Sequence, residues 1–277
     1  MILNIRQKNL PIFKPLNTPL SRLNNLPMWG ISTMKKFSKT LKTAILTATV
    51  PFGMMASTNA SAELSASAGI ATSYLWRGFE LGSGTPALSA DLVYSTGGFY
   101  AGVWVSSGDA TAGTEYDLFA GYGGSIGEMI TYDISAITYI YPTGQFSNTE
   151  EPGDFSEAVL NIGLGPVSLT YKDNISGGTG GYAFDEDYAY YSVSTTAGAF
   201  SFTLGMHDED RPENVPVTDD DGVITLKDSV TGDSTHFDVT YSATENLSFT
   251  FSTILSSDDG FDEKEPTVVA SYSIPLL

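Results

Sequence analysis

The sequence has no cysteine, only two histidines and, after residue 62, five basic residues against 32 acidic ones. The missing thiols exclude disulfides, thiolate nucleophiles and cysteine-ligated zinc or iron–sulfur sites together. The scarcity of bases leaves residues 63–277 with a formal charge of 5 minus 32, or −27, which repels nucleic-acid phosphates instead of releasing their counterions. No partner of that class is expected.

Catalytic constellations are equally scarce. His207 and His236 have no recognisable serine motif beside them, so a Ser-His hydrolase is not indicated. Glu115 and Asp117 are two of many acids and form no glycosidase signal, and the Gly177–Gly181 stretch lacks the lysine and following helix of a phosphate loop. The expectation is a non-enzymatic protein without a cofactor.

The first 62 residues carry eight bases and no acid. Within them, Met34 to Lys42 forms a positive n-region and Thr43 to Met55 a short apolar stretch. Asn59-Ala60-Ser61-Ala62 then ends in the small-x-small pattern that signal peptidase accepts. The expected organisation is therefore an upstream extension over 1–33 from a start codon assigned too early, a signal peptide over 34–62, and one exported domain over 63–277. That domain has no apolar run near 18 residues, which removes transmembrane helices but not membrane strands.

What the exported part does have is a period of two. Tyr116, Leu118, Ala120 and Tyr122 alternate with Glu115, Asp117, Phe119 and Gly121; Phe200, Phe202, Leu204 and Met206 alternate with Ser201, Thr203, Gly205 and His207. Such alternation builds one oily and one wet face. Twelve segments fit it, at 65–78, 87–95, 98–106, 114–124, 129–141, 155–164, 167–174, 187–196, 199–207, 234–243, 247–256 and 266–275. Tight connections follow the even-numbered segments and long polar ones follow the odd-numbered, the arrangement of an all-β antiparallel transmembrane barrel with short periplasmic turns and long extracellular loops.

A soluble β-sandwich also alternates. It gains nothing, however, from aromatics near nearly every segment end, and here Tyr74, Trp76, Tyr94, Phe99, Tyr100, Tyr122, Tyr139, Tyr141, Phe155, Tyr171, Phe200, Phe237, Tyr241 and Tyr272 lie there. Amphipathic rings at those positions suit a bilayer interface, and in lipid a sheet must close on itself to pair every backbone group.

Several stretches resemble one family. Tyr74-Leu-Trp-Arg77-Gly78-Phe, Gly84-Thr-Pro86-Ala-Leu, Gly98-Phe99-Tyr100-Ala-Gly102-Val-Trp104-Val-Ser106, Glu115-Tyr-Asp117-Leu-Phe-Ala-Gly121-Tyr122 and Tyr139-Ile-Tyr141-Pro142 are similar to the TorF family of porin-like proteins. The resemblance is dense from about 64 to 142 and rests mainly on strand spacing beyond. It implies an outer-membrane barrel acting as a pore. The chain departs from usual outer-membrane strands in ending Pro275-Leu276-Leu277, without a terminal aromatic for the barrel-insertion machinery.

With polar faces turned inward, the charged pore-lining candidates are Arg77, Glu115, Asp117, Asp133, Glu157, Lys172, His236 and Asp238. Five acids against two fixed bases favour cations and neutral polar solutes over anions. Two alternatives stay open: a water-filled channel, or an interior plugged by Arg77 and Lys172 paired with these acids, leaving a structural or surface-binding barrel. Arg77 itself reads either as a constriction residue or as a rim arginine meeting lipopolysaccharide phosphate. Asp219, Asp220, Asp221, Asp258 and Asp259 cluster in the loops with glycine, as solvated acids or as weak divalent-cation sites bridging to lipopolysaccharide.

Overall fold

A computed structural model describes residues 62–110, 112–143, 151–176, 188–209, 215–218, 224–227, 233–257 and 266–277. These lie in one compact unit, Lys42–Leu277. The expected extension and signal peptide fall outside the described residues, apart from Ala62 at the end of the latter, and so do Asp219, Asp220, Asp221, Asp258 and Asp259.

Twelve antiparallel strands close into a barrel. They are β1 (Glu63–Ala71), β4 (Ala87–Thr96), β5 (Phe99–Asp109), β6 (Gly113–Ile126), β7 (Ile130–Ile140), β8 (Phe155–Leu164), β9 (Val167–Asn174), β10 (Tyr188–Ala197), β11 (Phe200–Glu209), β14 (Ser234–Ser242), β15 (Leu247–Ser257) and β16 (Thr267–Pro275). Two hairpins stand apart from this sheet: β2 (Leu75–Trp76) with β3 (Phe79–Glu80), and β12 (Val215–Thr218) with β13 (Ile224–Lys227). Each wall strand pairs with its neighbour in the chain's order of wall strands, and β1 meets β16 to complete the ring, from Ser67 opposite Pro275 to Ala71 opposite Ser271. Closure leaves no sheet edge unpaired, which is what a strand structure in hydrocarbon requires.

Alternation decides the two faces. On β6, Tyr116, Leu118 and Tyr122 are exposed on the outside while Glu115, Asp117 and Phe119 are buried inside. The outer surface is apolar along its length, with Leu88, Leu92, Ile134, Leu160, Val193, Leu204, Phe251 and Val268 all exposed. A soluble barrel would not leave this belt uncovered; acyl chains cover it at no cost. Tyr94, Phe99, Tyr122, Phe200, Tyr241 and Tyr272 add aromatic rings to the outer face near the short-turn rim. Phe99 packs on Tyr122 at 4.6 Å and Phe200 on Tyr241 at 5.1 Å between centroids.

The tight turns follow backbone chemistry. Between β4 and β5, Gly97 and Gly98 take φ values of 58° and 90°, the left-handed pair that matches strand twist in a two-residue hairpin. The opposite rim carries the long connections, and one of them departs from expectation. The first strand was expected over 65–78 but ends at Ala71, because residues 72–86 leave the wall and turn into the bore. Tyr74, Leu75, Trp76, Arg77 and Phe79 are all buried there.

That inward turn also corrects part of the aromatic girdle. Tyr74, Trp76, Tyr139 and Phe155 line the interior and not the bilayer interface, as do Tyr100 and Tyr141, whose hydroxyls donate to Asp133 and Glu115. Each of the wall residues among them shares its strand parity with an inward acid or serine.

Candidate functional site: a charged layer across the bore

The β2–β3 hairpin turns at Arg77 and Gly78, with φ of 45° and 90°. Arginine there bears a left-handed backbone at a cost of roughly 1–2 kcal/mol, so the position must be held by contacts. They are extensive. Its Nη1 donates to Glu157 Oε1 at 2.8 Å and its Nη2 to Glu157 Oε2 at 2.5 Å, a two-pronged ion pair wholly removed from solvent. Nη1 also donates to the Tyr188 hydroxyl at 2.8 Å, and Tyr139 donates to Glu157 Oε2 at 2.6 Å. The guanidinium lies 4.4 Å from the Trp76 ring centre and 4.8 Å from that of Tyr190.

This tip spans the barrel. From β1, where the segment leaves the wall, Glu157 on β8 is five strands away in one direction and seven in the other. The backbone of the tip is also held by other strands: a hydrogen bond of 2.8 Å joins His207 Nε2 on β11 to the Arg77 carbonyl, and Ser252 Oγ on β15 donates to the Gly78 carbonyl at 3.4 Å. Gly78 must be glycine for a second reason, since a Cβ there would fall within the His236 side chain. Lower on the hairpin, Tyr74 donates to Glu115, whose other oxygen accepts from Tyr141 at 3.0 Å. Ser73 donates to Glu80, bracing the base.

All eight charged candidates therefore belong to the interior, seven of them in three groups and Asp133 by itself. Arg77, Glu157 and Lys172 form one cluster, with Lys172 Nζ 3.7 Å from Glu157 Oε2. Glu115 and Asp117 adjoin on β6 and, among the described residues, neither meets a base within ion-pair distance; Asp117 Oδ1 and Arg77 Nε have no hydrogen-bond partner. His236 contacts Asp238 at 3.1 Å and Tyr190 at 3.0 Å, while Asp133 stands apart, accepting from Tyr100 at 2.8 Å. Arg77 itself is buried inside the barrel.

The layer is dense. Glu157 and Tyr188 are 0% exposed, Glu115 and His236 1%, and Asp117 2%, so water does not reach the wall at this level in this conformation. Toward the short turns the inward residues shrink to Gly123, Thr131, Asn161, Thr170, Ser192, Ser194, Ser201 and Thr203, all half-exposed. There the inward face carries hydroxyls, glycines and the Tyr100–Asp133 pair.

Sequence reasoning missed Tyr74, Trp76, Tyr139, Tyr188 and Tyr190 as interior residues, and left out of the charged candidates both His207, on the wet face of its segment, and Asp91, which accepts from Ser67.

A family model described as a bacterial protein of unknown function (Gcw_chp) matches residues 55–248. The chain belongs to that family. In this Gcw_chp barrel the match runs from before β1 to the second residue of β15, and so contains the inner hairpin and every charged candidate above. No curated protein matches the sequence. Similar solved structures include the KdgM porin, at 7% identity over 77% of this chain and 98% of that one, TM-score 0.40. A mutant of the Rh. blastica porin is 13% identical over 68% and 55%, TM-score 0.34. OprD of Pseudomonas aeruginosa is 12% identical over 70% and 62%, TM-score 0.31.

Proposed function

We propose that this chain is a porin-like channel of the bacterial outer membrane, passing small polar solutes, neutral or cationic. The observation that carries the reading is a closed barrel with an apolar exterior and a polar, acid-rich interior. Acids outnumber bases in the bore: Asp91, Glu115, Asp117, Asp133, Glu157 and Asp238 against Arg77 and Lys172. In low-dielectric walls that imbalance raises the local concentration of cations and disfavours anions. The resemblance to the TorF family of porin-like proteins agrees with this assignment. Membrane lipid, lipopolysaccharide and the insertion machinery are the partners such a barrel would meet.

A second reading has its own observation. A layer sealed by a buried ion pair suits a barrel that conducts nothing and serves the envelope structurally or binds at the surface. Planar-bilayer recording separates the two. The channel reading expects openings whose reversal potential in a potassium chloride gradient lies on the cation side. An anion-side potential contradicts the charge assignment, and silence of both the natural chain and one lacking residues 75–80 supports the structural barrel.

A further inference from the structure

The hairpin that seals the bore is not part of its wall. It forms its own two-stranded sheet, and two residue pairs, Leu75 with Glu80 and Trp76 with Phe79, make up its ladder. An isolated two-stranded ribbon of this kind is marginal by itself. Its return limb runs through Gly82, Ser83 and Gly84, with φ of 48° at Ser83 and 71° at Gly84, before Pro86 rejoins the wall. The limb is anchored to the wall by the Ala110 N–H to Leu81 carbonyl bond at 2.9 Å, so the part of the hairpin that can shift lies between Tyr74 and Leu81, toward the tip. What holds the tip across the bore is side-chain chemistry, chiefly the fork between Arg77 and Glu157.

Charge in the layer is unevenly shared. Both bases converge on Glu157, whereas Asp117 on β6 has a buried oxygen without a partner and Arg77 has a buried Nε–H without an acceptor. A donor and an acceptor left over in the same dry layer make a second arrangement competitive, because each unmade bond there carries a desolvation cost. Lys172 remains beside Glu157 when Arg77 leaves, so departure of the guanidinium does not strand that carboxylate.

We propose that the β2–β3 hairpin is a latched gate: Arg77 on Glu157 holds the bore shut, and transfer of the guanidinium to Asp117 opens it. This rests on the channel reading above and adds to it the residues that set open probability. Trp76 and Phe79 keep the hairpin inside the barrel in both positions. Trp76 stacks on Tyr188 at 6.5 Å and Phe79 lies 4.9 Å from His207, ring contacts that tolerate sliding where a two-pronged ion pair does not.

The test compares two neutral variants of the membrane-inserted protein. Glu157→Gln removes the closed-state partner and should raise open probability on the order of 100-fold. Asp117→Asn removes the open-state partner and should lower it below that of the natural chain. Because the sequence has no cysteine, Ser252→Cys, behind the tip at Gly78, supplies a single thiol to report movement. A water-soluble methanethiosulfonate should modify it readily in the Glu157→Gln background and slowly in the Asp117→Asn background. Shifts of the same sign in both variants, or equal thiol protection in both, overturn the gate. Thiol exposure that follows the proposal without current in any variant keeps the moving hairpin and defeats the channel reading instead. Heat-modifiable gel migration checks folding. Should Glu157→Gln not fold, Arg77→Gln removes the cation that both carboxylates compete for, so adding Asp117→Asn to it should no longer change the rate of thiol modification; a further change there overturns the proposal.

Discussion

Along β10 the inward side chains change from Tyr188 and Tyr190 to Ser192 and Ser194 within seven consecutive residues, and β7 makes the same change from Tyr139 and Ile137 to Ser135 and Asp133. The wall backbone is continuous through the change. One half of the bore is filled by rings around an ion pair; in the other the inward residues include hydroxyls such as the half-exposed pair Ser194 and Thr203, 2.9 Å apart. Inward placement is thus set by strand parity, while blockage is set by side-chain volume. The same barrel supplies a seal or a passage according to which residues occupy the inward positions.

The largest test of that contrast is Glu157→Ala, which leaves Arg77 and Lys172 buried without their shared acid. A loss of about 3–5 kcal/mol is expected in urea unfolding from lipid vesicles, and an unchanged midpoint would mean that water already enters the layer. Trp76→Ala should cost roughly 3 kcal/mol by leaving a void between the hairpin and Tyr188, read by the same unfolding assay together with fluorescence. Gly205→Ala comes next at about 1–3 kcal/mol, because the added methyl would overlap His236 and the Tyr190 hydroxyl. Ser194→Ala, in the open half, should stay within about 0.5 kcal/mol; a loss as large as that at Gly205 would erase the distinction between the halves.

Much of this architecture is legible in the sequence. Eleven of the twelve expected segments lie within a few residues of the observed strands, because one face in lipid and one in water impose a strict period of two. Five of the interior acids, Glu115, Asp117, Asp133, Glu157 and Asp238, are legible for the same reason, whereas Asp91 was passed over. The aromatics were not legible, since a tyrosine near a strand end reads alike whether it meets headgroups or the bore. Parity could have separated them: Tyr139 is in phase with Asp133 and Ser135, and Phe155 with Glu157. Residues 72–86 were missed for a different reason. A short inward hairpin has no alternation of its own, and its one local signal is Arg77-Gly78 set between two aromatics, the spacing of a two-residue turn.

The seam where Ser67 to Ala71 meets Ser271 to Pro275 joins the extremes of the domain. Every other wall contact can form between segments that emerge one after another, yet this one waits until the final strand has been delivered. Until then the growing sheet presents two open margins of bare amides and carbonyls, each a template for adhesion to other chains. Safe assembly therefore depends on shielding both margins during biogenesis, and damage confined to β16 should leave a nearly complete ribbon that aggregates instead of a leaky cylinder.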